Sequence, residues 1–210
     1  MNVDTIPKVF FQTNKTNPPE HVTALIKKML TPEWKYEFYD DSEVIKFFID
    51  NPIPELPNVV NKFNSFNLGA HKADLFRYYY LYLRGGFFMD SDAMIYKNIE
   101  EIVKDYAFVS VNNSRLAGAI FQGVIGASPK NEIIKEALFH LYNTSPQKLD
   151  EQYHYLCFEL YNIITRNNFD YKIKLYEERQ GRLFGTSEVW DENESLFTHY
   201  YIEKIIPNTL

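Results

Sequence analysis

A helical run rich in aromatic residues stops at Gly85-Gly86, and three apolar residues later the chain reaches two aspartates: LRGGFFMDSD, residues 83–92. From about Ser65 to Leu83 the apolar positions recur at helical spacing, and the paired glycines end that helix. The FFM segment is too short for anything but a buried strand, so Asp90 and Asp92 stand at a strand exit. In extended chain, residues i and i+2 point to the same side. The two carboxylates therefore aim at one point, and their repulsion calls for a compensating partner. Open α/β sheets place ligands at the carboxyl ends of their strands, and two hard oxygen donors there suit Mn²⁺ or Mg²⁺. A solvated turn that carries two aspartates is the other reading of a bare D-x-D.

The flanking pattern supplies a fold. KVFFQT (8–13) and YEFYDD (36–41) read as strands, separated by a helix whose apolar positions are Val22, Leu25, Ile26, Met29 and Leu30. Asp40 followed by Glu43 forms a capping-box signature that opens a helix through Phe48, and NPIPELP (51–57) is a loop. YAFVSV (106–111) is a strand, and GAIFQGVIGAS (118–128) is one or two more. Ser128-Pro129 is expected to cap a helix through about Tyr142. A further helix is expected over 151–166 and a strand over 171–177, with an irregular aromatic remainder in which Trp190 and WDENE form a surface loop, a candidate lid. Strands and helices alternate, which predicts one α/β domain over residues 1–210 with a mostly parallel central sheet flanked by helices.

Net charge is −6, which argues against a nucleic-acid partner. Aromatic residues make up 17%, enough to fill a core and line a pocket. The single cysteine, Cys157, excludes an intrachain disulfide and reads as a buried small hydrophobe. The N-terminus lacks the basic-then-apolar pattern of a signal peptide, and no apolar run approaches the roughly 20 residues that span a bilayer. A cytoplasmic location is expected.

Upstream of the aspartates, Asp74 and Arg77 lie three apart on the same helix as Leu75, Phe76, Tyr78, Tyr79 and Tyr80. A helix so apolar is largely buried, and a buried Asp and Arg need partners, in each other or in a polar ligand. The whole string AHKADLFRYYYLYLRGGFFMDSD resembles the signature of the DXD-containing sugar transferases, glycosyltransferase family 32 and its relatives. Ala70, Ala73, Asp74, Arg77, Tyr78, Leu81, Gly85, Gly86, Phe88, Asp90 and Asp92 carry the match. IPKVFFQTNK (6–15) and PEWKYEFYDDSEVIKFF (32–48) resemble two earlier segments of that family. The resemblance implies a GT-A-type, Rossmann-like fold that transfers a hexose from a nucleotide-diphosphate sugar, UDP-sugar before GDP-sugar, to a glycan or glycoprotein acceptor, with retention. It also implies that Asp74 and Arg77 contact the donor sugar and ribose, and that Asp90 and Asp92 hold Mn²⁺, or Mg²⁺, on the diphosphate.

The resemblance extends more faintly to other positions. Gln122 lies where relatives carry a polar residue facing the sugar; satisfying backbone groups at a bulge is the alternative. His199 resembles a C-terminal histidine that completes the metal shell in many GT-A enzymes, against a place in an aromatic cluster. Family members carry His and Trp where this chain has Phe11 and Asn14, which bears on nucleobase choice. Phe10 or Phe11 would replace that stacking surface, unless both serve the core, and Ser91 completes the donor-site set. His71, three before Asp74, is a supporting or surface residue. Two other classes stay open: a hydrolase using paired carboxylates, and a non-catalytic domain that binds sugar nucleotides.

Overall fold

The computed structural model describes residues 5–202, 204, 206 and 207. Strand β1 (Val9–Thr13) leads through α1 (Glu20–Met29) to β2 (Lys35–Tyr39), then to α2 (Asp41–Asp50), α3 (Val59–Asn64) and α4 (Gly69–Arg84). The expected capping box opens α2: the Asp40 carboxylate accepts from the backbone of Ser42 and Glu43, and Glu43 reaches back to Asp40. The helix expected from Ser65 begins at Gly69, and residues 59–64 form a separate short helix.

β3 (Gly86–Met89), β4 (Ala93–Ile95), α5 (Ile99–Val103), β5 (Phe108–Asn112) and β6 (Ile120–Ala127) follow. Gly86 adopts φ 120°, and a Cβ there would lie 2.8 Å from the Val9 carbonyl oxygen, so the close approach of β3 to β1 needs glycine. After β6 come α6 (Glu132–Asn143), α7 (Pro146–Glu151) and α8 (Tyr155–Arg166). The cap of α6 is Asn131 rather than Ser128, its side chain accepting from Ile133 and Ile134 N–H. The helix expected over 151–166 begins at Tyr155 as α8, and the separate short α7 before it starts on Ser145-Pro146 and ends at Glu151.

β7 (Ile173–Gln180), β8 (Ser187–Asp191) and β9 (Glu194–His199) are the last elements among the described residues. The expected irregular tail is therefore a β-hairpin, with Glu192 at φ 48° in its two-residue turn. Trp190 belongs to β8, under the Arg179 guanidinium, and is not among the residues lining the cavity described below. It is no lid over that site.

The nine strands among the described residues form one sheet in the order β2-β1-β3-β6-β5-β7-β8-β9-β4. The α/β class is as expected, but the sheet is mixed rather than mostly parallel. β1 pairs parallel with β2 and β3, and β5 with β7; the other five pairings are antiparallel. A parallel pairing needs a crossover of about a dozen residues or more. The short segments between β5 and β6, and between β8 and β9, cannot supply one.

The sheet must also curl. β3 and β4 are six strand spacings apart in the order, about 29 Å if flat. Residues 90–92 join them, and the chain from Met89 to Ala93 reaches about 14 Å at most. The β9–β4 edge therefore folds back toward β3, with the D-x-D segment in the closure. Packed cores cover both faces. Alternation along β1 sends Phe11 into the core with α2, α4, α6 and α8, and Phe10 into the core with α1, α5 and β9.

Candidate active site at the sheet closure

Residues 90–92 are pinned from three sides. Asp90 N–H donates to Gly123 O (2.8 Å), continuing the β3–β6 ladder, and Asp90 O accepts from Gln12 Nε2 (3.2 Å). Asp92 O accepts from Tyr200 N–H (2.9 Å), just past β9. These backbone bonds fix where the carboxylates point. Ala93 pairs with His199 across β4–β9, which brings His199 Nε2 to 3.5 Å from Asp92 Oδ1. Ligand atoms of Asp90, Asp92 and His199 all lie within 4.8 Å of one another. Two carboxylates and an imidazole this close form a donor set that fits a divalent cation.

The electrostatics support that fit. Burial pushes the Asp90 carboxyl above its ordinary range; Arg77 opposes the rise and Asp92 adds to it. Burial disfavours the His199 imidazolium, yet the contact with Asp92 outweighs it and the group ends above its usual value.

Helix α4 supplies the facing wall. Asp74 Oδ1 lies 2.7 Å from Arg77 Nη2, and Asp74 Oδ2 3.3 Å from His71 Nδ1. Arg77 is buried, lies over the Phe88 ring (4.6 Å), donates to Gln122 O, and stands 3.8 Å from Asp90. A row His71–Asp74–Arg77–Asp90 therefore joins the helix to the closure. The Tyr78 hydroxyl donates to Gln122 Oε1 (2.5 Å). Asn14 Nδ2 donates to Ser91 Oγ (2.9 Å), tying the segment after β1 to the D-x-D. His71, Asp74, Arg77, Asp90, Ser91 and Gln122 line one cavity of about 950 Å³, ample for a drug-sized ligand.

Residues 15–109 match the family described as the glycosyltransferase sugar-binding region containing the DXD motif. Over that stretch, a little under half of its length, the chain is similar to the DXD glycosyltransferase sugar-binding region. Over 107 residues it is 28% identical to inositol phosphoceramide mannosyltransferase 3 of Schizosaccharomyces pombe, covering 50% of this chain and 29% of the relative. Over 136 residues it is 26% identical to mannosyl phosphorylinositol ceramide synthase SUR1 of Saccharomyces cerevisiae, covering 63% and 34%. The matches span about a third of the length of these curated relatives. Among solved structures, the PaToxG glycosyltransferase superposes with TM-score 0.57 over 78% of this chain and 70% of that one, at 15% identity. That likeness is one of fold, of the GT-A type.

Within the sugar-binding region, Asp74, Arg77, Asp90, Ser91 and Asp92 line the cavity, and Gln122 and His199 join them from outside it. Phe10 and Phe11 do not. Both are fully buried, Phe11 stacked on Tyr80 (4.0 Å) and Phe10 against Phe87 (6.0 Å). Strand packing consumes both faces of β1 and leaves neither ring free to stack on a nucleobase. Cys157 is partly exposed on the cavity wall rather than buried in a core; burial pushes its thiol up to about 12, with Asp74 adding to the rise. Glu178 and Tyr153 are among the lining residues that sequence reasoning did not single out. Glu178, only 6% exposed, faces the cavity from β7 and accepts from Ser114 N–H (3.2 Å). Tyr153 enters from the segment between α7 and α8. No local spacing marks either one; only the fold brings them in.

Proposed function

We propose that this chain acts, as one catalytic domain, as a metal-dependent glycosyltransferase that moves a hexose from a nucleoside-diphosphate sugar to a hydroxyl acceptor. The observation that carries the reading is the Asp90–Asp92–His199 triangle set across one cavity from the Asp74–Arg77 pair. The names of the relatives favour mannose as the hexose and a glycan or glycolipid as acceptor. Retention and the cytoplasmic location remain part of this proposal, as does UDP-sugar as first donor with GDP-sugar as second. No helix among the described residues is long and apolar enough to cross a membrane.

Asp90, Asp92 and His199 would hold the cation, Mn²⁺ before Mg²⁺. When bound, that ion supplies a positive charge for the departing diphosphate oxygens. The protein's own groups do the rest. The Asp74 carboxylate presents only acceptors and the Arg77 guanidinium a fixed fork of donors, a pairing suited to sugar hydroxyls. Their mutual ion pair holds both in position before any ligand arrives. The curl of the sheet sets the reacting centre in a walled cavity, which strengthens electrostatic contacts made there.

The test is nucleotide release from a panel of UDP- and GDP-hexoses, with Mn²⁺, with Mg²⁺ and with chelator. A transferase releases nucleotide from one donor class, faster when a hydroxyl acceptor is added, and chelator stops it. Hydrolysis of free glycosides, read as sugar release, or tight donor binding with no turnover under any acceptor, would sink the reading.

A further inference from the structure

Four buried side-chain atoms lack a hydrogen-bond partner among the described residues: Trp34 Nε1, His71 Nε2, Gln122 Nε2 and Ser187 Oγ. His71 and Gln122 both line the cavity. Burying a polar atom without a partner costs about 1–3 kcal/mol, so two of them on one wall point to a ligand that completes them.

Their chemistry is fixed by what they already bond. His71 lies one helical turn before Asp74, is only 1% exposed, and packs against Phe66 and Tyr153. The Asp74 carboxylate has no proton to give, so His71 Nδ1 carries the hydrogen of their 3.3 Å contact. In the neutral imidazole, Nε2 then keeps its lone pair and accepts. Gln122 is oriented the other way. Its Oε1 is occupied by the Tyr78 hydroxyl, and its Nε2 has no hydrogen-bond partner among the described residues. The wall therefore offers acceptors at His71 and Asp74, and donors at Gln122 and Arg77. That alternation matches a set of hydroxyls, each of which both donates and accepts.

We propose that His71 is a specificity residue of the donor site, its Nε2 accepting a hydrogen bond from one hydroxyl of the transferred sugar. The site thereby takes neutral sugars that carry a free hydroxyl at that position and discriminates against those that lack it. This rests on the transferase reading above, and it adds a residue and a selection rule which that reading does not contain.

The experiment pairs side-chain and ligand deletions. The UDP- or GDP-hexose that binds best in the presence of Mn²⁺ is titrated calorimetrically against wild type, His71→Phe and His71→Gln. Monodeoxy versions of the same donor and the free nucleoside diphosphate follow. His71→Phe is expected to lower affinity for the intact donor about tenfold, with free nucleoside diphosphate unchanged. One deoxy donor should be penalised by wild type and no longer by His71→Phe. His71→Gln, which keeps an acceptor oxygen within reach, should retain part of that discrimination. If every deoxy penalty survives in His71→Phe, His71 only props Asp74 and the proposal is overturned. If His71→Phe no longer binds nucleoside diphosphate at all, its fold is compromised and His71→Leu, which also lacks an acceptor, decides by the same criterion. If wild type binds neither UDP- nor GDP-hexoses, the transferase reading fails and takes this one with it; donor binding with unaltered discrimination defeats this one alone.

Discussion

His199 and Asp92 lie 107 residues apart in sequence and 3.5 Å apart in space, because Ala93 pairs with His199 across the β4–β9 ladder. The ladder is three residues long on the β4 side, yet it sets the third corner of the candidate metal site. Backbone pairing, rather than a flexible tail, delivers the imidazole.

The first prediction follows from that geometry. Asp92→Ala and Asp90→Ala are expected to remove Mn²⁺-dependent binding of a nucleoside diphosphate, and His199→Ala to raise the Mn²⁺ requirement about tenfold or more. Calorimetric titration with and without Mn²⁺ measures it. Undiminished Mn²⁺ dependence in both aspartate variants would remove the metal assignment.

A second prediction separates sugar from nucleotide. Asp74→Asn keeps shape but loses the charged acceptor that faces both Arg77 and His71. A hydrogen bond to a charged group contributes about 1.5–3 kcal/mol, so nucleotide-sugar affinity should fall tenfold or more, while free nucleoside diphosphate binds nearly as before. Equal losses for the two ligands would make Asp74 a structural residue.

Which parts of this site were legible in sequence follows from the range of the contacts. Asp74, Arg77, Asp90 and Asp92 lie on one helix and the strand after it, so local spacing places them. The capping box at Asp40 is equally local. The hairpin that carries His199 was not legible as structure, because its turn, Glu192-Asn193, puts a glutamate at positive φ in place of the usual Asn-Gly signal. The antiparallel majority of the sheet was hidden for a related reason: helix–strand alternation does not reveal that β6 returns beside β3. Phe10 and Phe11 stay open between stacking platform and core in sequence, because two adjacent aromatics in a strand read the same way in both cases. Alternation along the strand commits one to each core.

A third prediction concerns acid stability. Glu37 on β2 accepts from the hydroxyls of Tyr39 (2.6 Å) and Tyr80 (2.7 Å) and pairs with Lys35 (2.6 Å). Burial alone would raise its carboxyl, but these partners outweigh it and the group sits below its ordinary value. A depressed folded pKa contributes stability that is full above the unfolded value and is lost as pH falls through the folded one. Glu37→Gln should thus cost about 1 kcal/mol at neutral pH, and the gap should close on acidification through and below the ordinary carboxylate range. Urea unfolding at a series of pH values reads it; a gap independent of pH would show that the charge is not what Tyr39 and Tyr80 recognise.

The last prediction tests how tightly the closure is built. Gly123 lies beside Asp90 on β6, and its carbonyl takes the Asp90 N–H. A Cβ at this glycine would stand 2.7 Å from Asp90 Oδ2 and 2.3 Å from Phe121 Cζ. The Phe121 ring itself packs on His199, 4.8 Å between centroids. One added methyl group therefore presses on two corners of the triangle at once, displacing the Asp90 carboxylate directly and His199 through Phe121. Gly123 has an ordinary strand backbone, so Gly123→Ala adds no backbone strain of the positive-φ kind. Its cost falls on the site: Mn²⁺-dependent nucleotide affinity should drop by about tenfold or more, while the thermal midpoint shifts by only a few degrees, as expected for a loss of about 1 kcal/mol. Calorimetry and thermal unfolding on the same preparation separate the two effects. A large loss of stability with unchanged Mn²⁺-dependent binding would place the constraint in core packing and free the Asp90 carboxylate from the role assigned to its exact position.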